Sequence, residues 1–78
     1  MKHARPDYDR IQDPAGKIPS DEPVFLLRGQ DRLAALVLRY YARLAIAAGC
    51  QSDLICATLK QADAMALWHE HKTPDLPR

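Results

Sequence analysis

The sequence predicts an all-α protein: an antiparallel two-helix hairpin with an N-terminal extended arm, assembled as a homo-oligomer. Three observations lead there. Residues 32–48 and 53–71 each keep apolar side chains at helical spacing. Only Gly49-Cys50-Gln51-Ser52 connects them, and so short a connection makes two helices antiparallel neighbours. The first helix is also apolar round most of its girth, more than a single partner helix can cover.

Composition sets the bounds. A chain of 78 residues forms at most one small domain. A single core of that size rarely supplies more than ~3–5 kcal/mol, so disulfides, a metal or self-association usually help. Apolar residues make up 47%, too many for a disordered chain, and the net charge of +1 gives no global pull towards nucleic acid or membrane. Cys50 and Cys56 lack the spacing of a disulfide framework. Oligomerisation is then the expected aid. No basic segment followed by an apolar stretch opens the chain, and the longest apolar region, 33–48, is broken by Arg39 and Arg43. A cytoplasmic protein with no membrane span is the expectation.

Residues 1–22 read as the extended arm. They hold Pro6, Pro14, Pro19 and Gly16, show no period, and offer only Tyr8, Ile11 and Ile18 to clip onto a neighbour. Residues 23–73 form the hairpin domain and 74–78 a tail. Pro23 pushes Glu22 towards extended geometry and opens Val24-Phe25-Leu26-Leu27, four apolar residues expected to be buried as a short strand or under a helix. Arg28-Gly29-Gln30-Asp31 is a turn, with Gly29 for backbone freedom and Asp31 as N-cap. The first helix runs from about 32 to 48 and stops at Gly49. Its apolar residues fall on two arcs: Leu33, Val37, Tyr40 and Leu44 on one, Ala34, Leu38, Tyr41 and Ala45 on the other. The second helix runs from about 53 to 71, with Ser52 as N-cap and Pro74 as its stop. Its apolar arc carries Leu54, Ile55, Thr58, Leu59, Ala62, Met65, Ala66 and Trp68, opposite Cys56, Lys60, Asp63 and Glu70.

The most informative feature is a stripe of arginines. Arg32, Arg39 and Arg43 stand at i, i+7 and i+11, within about 40° of one another in projection, and Arg28 precedes the helix. No acid occupies a helical neighbour position that would pair with Arg39 or Arg43, which repel each other as an i,i+4 like-charge pair. The bland reading is a solvated face. The functional one is an anion site, since arginine rather than lysine at all four positions suits bidentate contact with phosphate or carboxylate. Tyr40 and Tyr41 flank the stripe and could stack a base while the guanidinium groups hold phosphate; helix packing is their plainer role. The N-terminus of the first helix offers free amides, but Asp31 would occupy them.

Other chemistry finds little support. His69-Glu70-His71 has no metal-ligand spacing, and His69 projects onto the apolar arc as a packed histidine. No nucleophile elbow, phosphate-cradling loop or paired carboxylates are present, so neither an enzyme nor a cofactor is expected. Nucleic acid is disfavoured, because the first helix is too apolar to lie in a groove and the second carries only Lys60 and Lys72 nearby.

The stretch Ile18-Pro19-Ser20-Asp21-Glu22-Pro23-Val24-Phe25-Leu26-Leu27-Arg28-Gly29-Gln30-Asp31 resembles the box IPxDEPVFLLRGQD of a short protein family recurring in phage and prophage genomes. That family shares two helices and a tail like Lys72-Thr73-Pro74-Asp75-Leu76-Pro77, so the resemblance covers the chain from about Ile11. No activity is attached to the box, and no binding residue is carried over. The resemblance implies a viral accessory protein. Proteins of that class bind a host protein or sequester a nucleotide immune signal between subunits, an analogy of class and not of descent. The expectation is therefore an oligomer, dimer or higher, that holds a nucleotide-like anion on Arg28, Arg32, Arg39 and Arg43 with Tyr40 or Tyr41 stacking. The rival is an interaction module that docks its arginine-lined surface on a host defence protein.

Overall fold

The computed structural model describes residues 1–5, 7 and 13–76. They fall into two compact units: Leu27–Pro74, and the N-terminal segment up to Leu26 together with the chain from Asp75.

The larger unit is a helical hairpin of α1 (Ala34–Ala47) and α2 (Ser52–Ala66). The two helices pack along their length through alanine. Ala34, Ala42 and Ala45 of α1 and Ala62 of α2 are the buried apolar residues, with Leu38, Ile55, Thr58 and Met65 half-buried around them. Among the described residues no large side chain is fully buried. Of the two arcs expected on α1, the one carrying Ala34, Leu38 and Ala45 faces α2, although Tyr41 at its edge stays exposed. The other arc faces outward.

The helix ends differ from expectation in instructive ways. Asp31 does not cap the helix itself. Its Oδ1 accepts the Leu33 amide at 2.8 Å and its carbonyl accepts Ala34 N at 3.0 Å, so 31–33 form a turn and α1 starts two residues later, with Leu33 at the cap position. The exit of α1 follows the glycine-terminated pattern. Gly49 lies at φ +76°, its amide reaches Ile46 O at 3.1 Å, and Cys50 N reaches Ala45 O at 2.9 Å, the paired bonds of a Schellman motif. Gln51, in extended geometry, precedes α2; Ser52 is its first residue rather than its N-cap, and Asp53 places a negative charge in the first turn.

The second helix ends at Ala66, short of the expected 71. Leu67 caps it through Asp63 O, and the chain turns back so that Lys72 N reaches Gln30 O at 2.8 Å and Arg32 N reaches Lys72 O at 3.0 Å. His71 closes the same turn against Met65 O at 2.9 Å. A helix continued to residue 71 would forfeit this tie between the two ends of the hairpin. Gly29 also serves otherwise than expected: its φ is not positive, and its α-carbon faces Trp68, where an added Cβ would sit 3.5 Å from the Trp68 side chain.

The smaller unit corrects the all-α expectation. Lys2–His3 (β1) pairs in parallel with Pro23–Val24 (β2), in the register Lys2↔Pro23 and His3↔Val24. Lys2 N donates to Glu22 O at 2.6 Å, the carbonyl that Pro23 holds in extended geometry. Strands of two residues are too short for a periodic signal, and the partner is remote in sequence. Nor are the described parts of the arm simply extended. Asp13 organises a turn, its carbonyl taking Gly16 N at 2.9 Å and its carboxylate the amides of Lys17 and Ile18. Gly16 at φ +62° supplies the left-handed residue there. Tyr8 and Ile11 lie outside the described residues. The apolar run after Pro23 is not buried throughout, since Phe25 is 66% exposed.

Candidate anion-binding surface of the first helix

No acidic residue lies on α1, so its cations are answered only from elsewhere in the hairpin. Arg39 is. Its guanidinium meets Asp63 Oδ1 on α2 at 3.3 Å, which corrects the expectation that no acid pairs with it. The pair is open to solvent, with side-chain exposures of 46% and 71%, so it holds Arg39 weakly. Arg32 donates to Thr73 Oγ1 at 3.3 Å. Arg43, one turn beyond Arg39, has no hydrogen bond or ion pair among the described residues. Arg39 and Arg43 form one exposed edge of α1, and Arg32 lies in the turn that precedes it.

The tyrosines do not flank that edge together. Tyr40 stands three positions before Arg43 and is its neighbour on the helix surface, with a ring 61% exposed. Tyr41 projects about 160° away from Arg43, on the far border of the outward face. Between the two borders run Leu33, Val37, Tyr40 and Leu44, with Leu36 beside Arg43. All are large, and all are at least 45% exposed.

Arg28 stands apart. It lines an open groove of about 400 Å³ with Leu27, Gly29, Gln30, Gln61, Ala64, Met65 and Trp68. Gln61 and Met65 fall on the flank of α2 roughly opposite Asp63, so the Arg28 groove and the Arg39 edge are on different sides of that helix. The six sequence-derived candidates thus divide into the Arg39–Arg43 edge with Tyr40, Arg32 in the turn before α1, a separate Tyr41, and Arg28 in its groove. Comparison with known protein families, curated proteins and solved structures finds no match.

The remaining polar groups add little chemistry. His69 is exposed beyond the end of α2, its ring tilted against Trp68 with centroids 4.5 Å apart, rather than packed on the helix. Among the described residues no three His, Cys, Asp or Glu side chains gather, and no helix is long and apolar enough to cross a membrane. Within the smaller unit, His3 has both ring nitrogens shielded from solvent and without a partner among the described residues. Nothing in local sequence could have singled it out, since its strand partner is some twenty residues away in sequence.

Proposed function

We propose that this protein is a non-enzymatic binding protein that captures an anionic ligand of the nucleotide class on the arginine edge of α1 and releases it unchanged. The carrying observation is that edge: Arg39 and Arg43 one turn apart on a helix without acids, the first in a weak exposed pair, with an exposed aromatic ring beside the second. Guanidinium groups at this spacing offer two planar forks to phosphate oxygens, and Tyr40 offers a face to a base. The IPxDEPVFLLRGQD resemblance supports a phage or prophage setting, in which a cyclic nucleotide of host defence would be the ligand and the host cytoplasm the compartment. The test is a thermal-shift and calorimetric titration with cyclic di- and trinucleotides, followed by recovery of the ligand after denaturation. Stabilisation with intact ligand supports capture; a hydrolysed ligand or no shift refutes it.

One observation favours a second reading. The edge borders a broad apolar face, with Leu36, Val37, Tyr40 and Leu44 all exposed. Such a surface also suits an acidic protein partner, as for an inhibitor of a host defence protein. That partner would be lost on Arg43→Glu and also on Leu36→Ala, whereas nucleotide capture would be lost on the first alone.

A further inference from the structure

The groove beside Arg28 lies wholly within the larger unit, and the arginine edge of α1 takes no part in it. One wall is the turn that Asp31 N closes on Arg28 O at 3.0 Å. The other is α2, with Gln61 and Met65 one turn apart and Trp68 just past the helix end. Its volume of about 400 Å³ is within the range of small-molecule sites.

The lining is chemically mixed. Among the described residues, the main-chain N–H and carbonyl of Gly29, the Gln30 N–H and the side-chain amides of Gln30 and Gln61 have no hydrogen-bond partner. Gly29 and Gln30 are half-buried, where an unpaired polar group is costly. Beside them Trp68 is 51% exposed, even with the His69 ring tilted against it. Arg28 is the one charged residue of the lining, and no acid joins it. The glycine points the same way. The φ of Gly29 is not positive, so the backbone does not call for it, and a Cβ there would make only ordinary contact with Trp68 at 3.5 Å. A side chain at that position would take up groove space.

We propose that this groove binds a mononucleotide, with the base stacked on Trp68, its edge bonded to Gln30, Gln61 and the Gly29 main chain, and the phosphate on Arg28. The inference stands apart from the anion-binding reading of α1. A bare phosphate would meet one guanidinium beside the carbonyl end of α2, where the helix dipole disfavours an anion. A wholly apolar ligand would cover the unpaired amides and leave them dry. A planar nitrogen heterocycle with one phosphate uses every group present: indole for the ring, amides that both donate and accept for its edge, guanidinium for the charge.

Trp68 is the single tryptophan of the chain, so intrinsic fluorescence reads this groove directly. The full chain is titrated with adenosine monophosphate and with adenosine, exciting at the red edge of the indole band where the ligand does not absorb. The nucleotide should quench Trp68 saturably, and adenosine should bind about ten- to a hundred-fold more weakly for want of the Arg28 contact. Arg28→Gln should bring the two ligands to equal affinity. Ribose 5-phosphate, which lacks the ring, should not displace the nucleotide. Gly29→Val should lose binding, with folding checked by far-UV circular dichroism. No saturable quenching of the parent chain overturns the proposal, as does equal affinity for the two ligands, or ribose 5-phosphate competing as well as the nucleotide. A folded Gly29→Val chain that binds like the parent places the ligand outside the groove. Quenching lost on Arg43→Glu moves it to the α1 edge, and either result overturns the proposal. Cyclic nucleotides that raise the melting temperature while Trp68 stays silent to the mononucleotide refute the groove and leave the α1 reading standing; mononucleotide quenching with no cyclic-nucleotide binding does the reverse.

Discussion

Enlarging Ala62 tests whether the alanine contact holds the hairpin together. Ala62 is 0% exposed and is the buried residue α2 contributes, set against a helix that buries Ala34, Ala42 and Ala45. Ala62→Leu adds three carbon atoms where there is no solvent-facing room. Overpacking of this kind costs typically ~1–3 kcal/mol, because side chains leave their rotamers or the helices separate. Against the ~3–5 kcal/mol that a core of this size supplies, the loss is a large share. At ~4–8 °C per kcal/mol for a domain of this length, the melting temperature should fall by roughly 5–20 °C. Far-UV circular dichroism follows the transition, with Ala57→Leu, exposed on the same helix, as the control expected within about 0.5 kcal/mol of the parent. An Ala62→Leu chain that melts at or above the parent temperature would refute the reasoning, since it would show slack where the structure shows contact.

Three further outcomes follow. Asp31→Ala removes the acceptor of the Leu33 amide and should cost about 1 kcal/mol, seen as a lower urea midpoint with unchanged slope. Gly49→Ala meets no neighbour within 4 Å, so its cost should be only that of a left-handed alanine, ~1–2 kcal/mol by the same measurement. Arg39→Gln should change stability by less than about 1 kcal/mol despite losing Asp63, because the pair is exposed. In a nucleotide titration Arg39→Gln and Arg43→Gln should each weaken binding about ten- to a hundred-fold, the loss of one charge-assisted hydrogen bond.

Local chemistry made much of the hairpin legible. Gly49 stops α1 because a left-handed residue is needed exactly one step past the last turn, and glycine is the residue that takes φ +76° without strain. The arc of Ala34, Leu38 and Ala45 could be read as a contact face from spacing alone. The early end of α2 could not. No glycine or proline stands between Ala66 and Pro74, and the helix stops because Lys72 is better placed bonding to Gln30 and Arg32, a tie that exists only once the hairpin has formed. The same limit hid Arg39's partner. A search along one helix for acids at i±3 and i±4 finds none, whereas Asp63 faces Arg39 across the hairpin. The β1–β2 pair was hidden for both reasons, being short and non-local.

The two faces of α1 answer different requirements, and their composition separates them. Alanine towards α2 lets a short four-residue connection close a hairpin with little side-chain bulk to order, but it removes little apolar surface from water. The larger side chains that could supply that surface are outside, in a seam whose central stretch holds Val37 and Tyr40. A hairpin evolved to stand alone would gain by exchanging the two sets, since each buried leucine would stabilise it by roughly 1.5–3 kcal/mol relative to leaving it exposed. Arg43 sharpens the point. It sits on the border of the seam, within a turn of a like charge at Arg39, where a glutamate would have paired with Arg39 at i,i+4 and improved solubility equally. Arg39 is answered by Asp63 across the hairpin, whereas Arg43 adds a like charge one turn away with no ion pair among the described residues. The hairpin alone covers neither the outer seam of α1 nor Arg43 at its border.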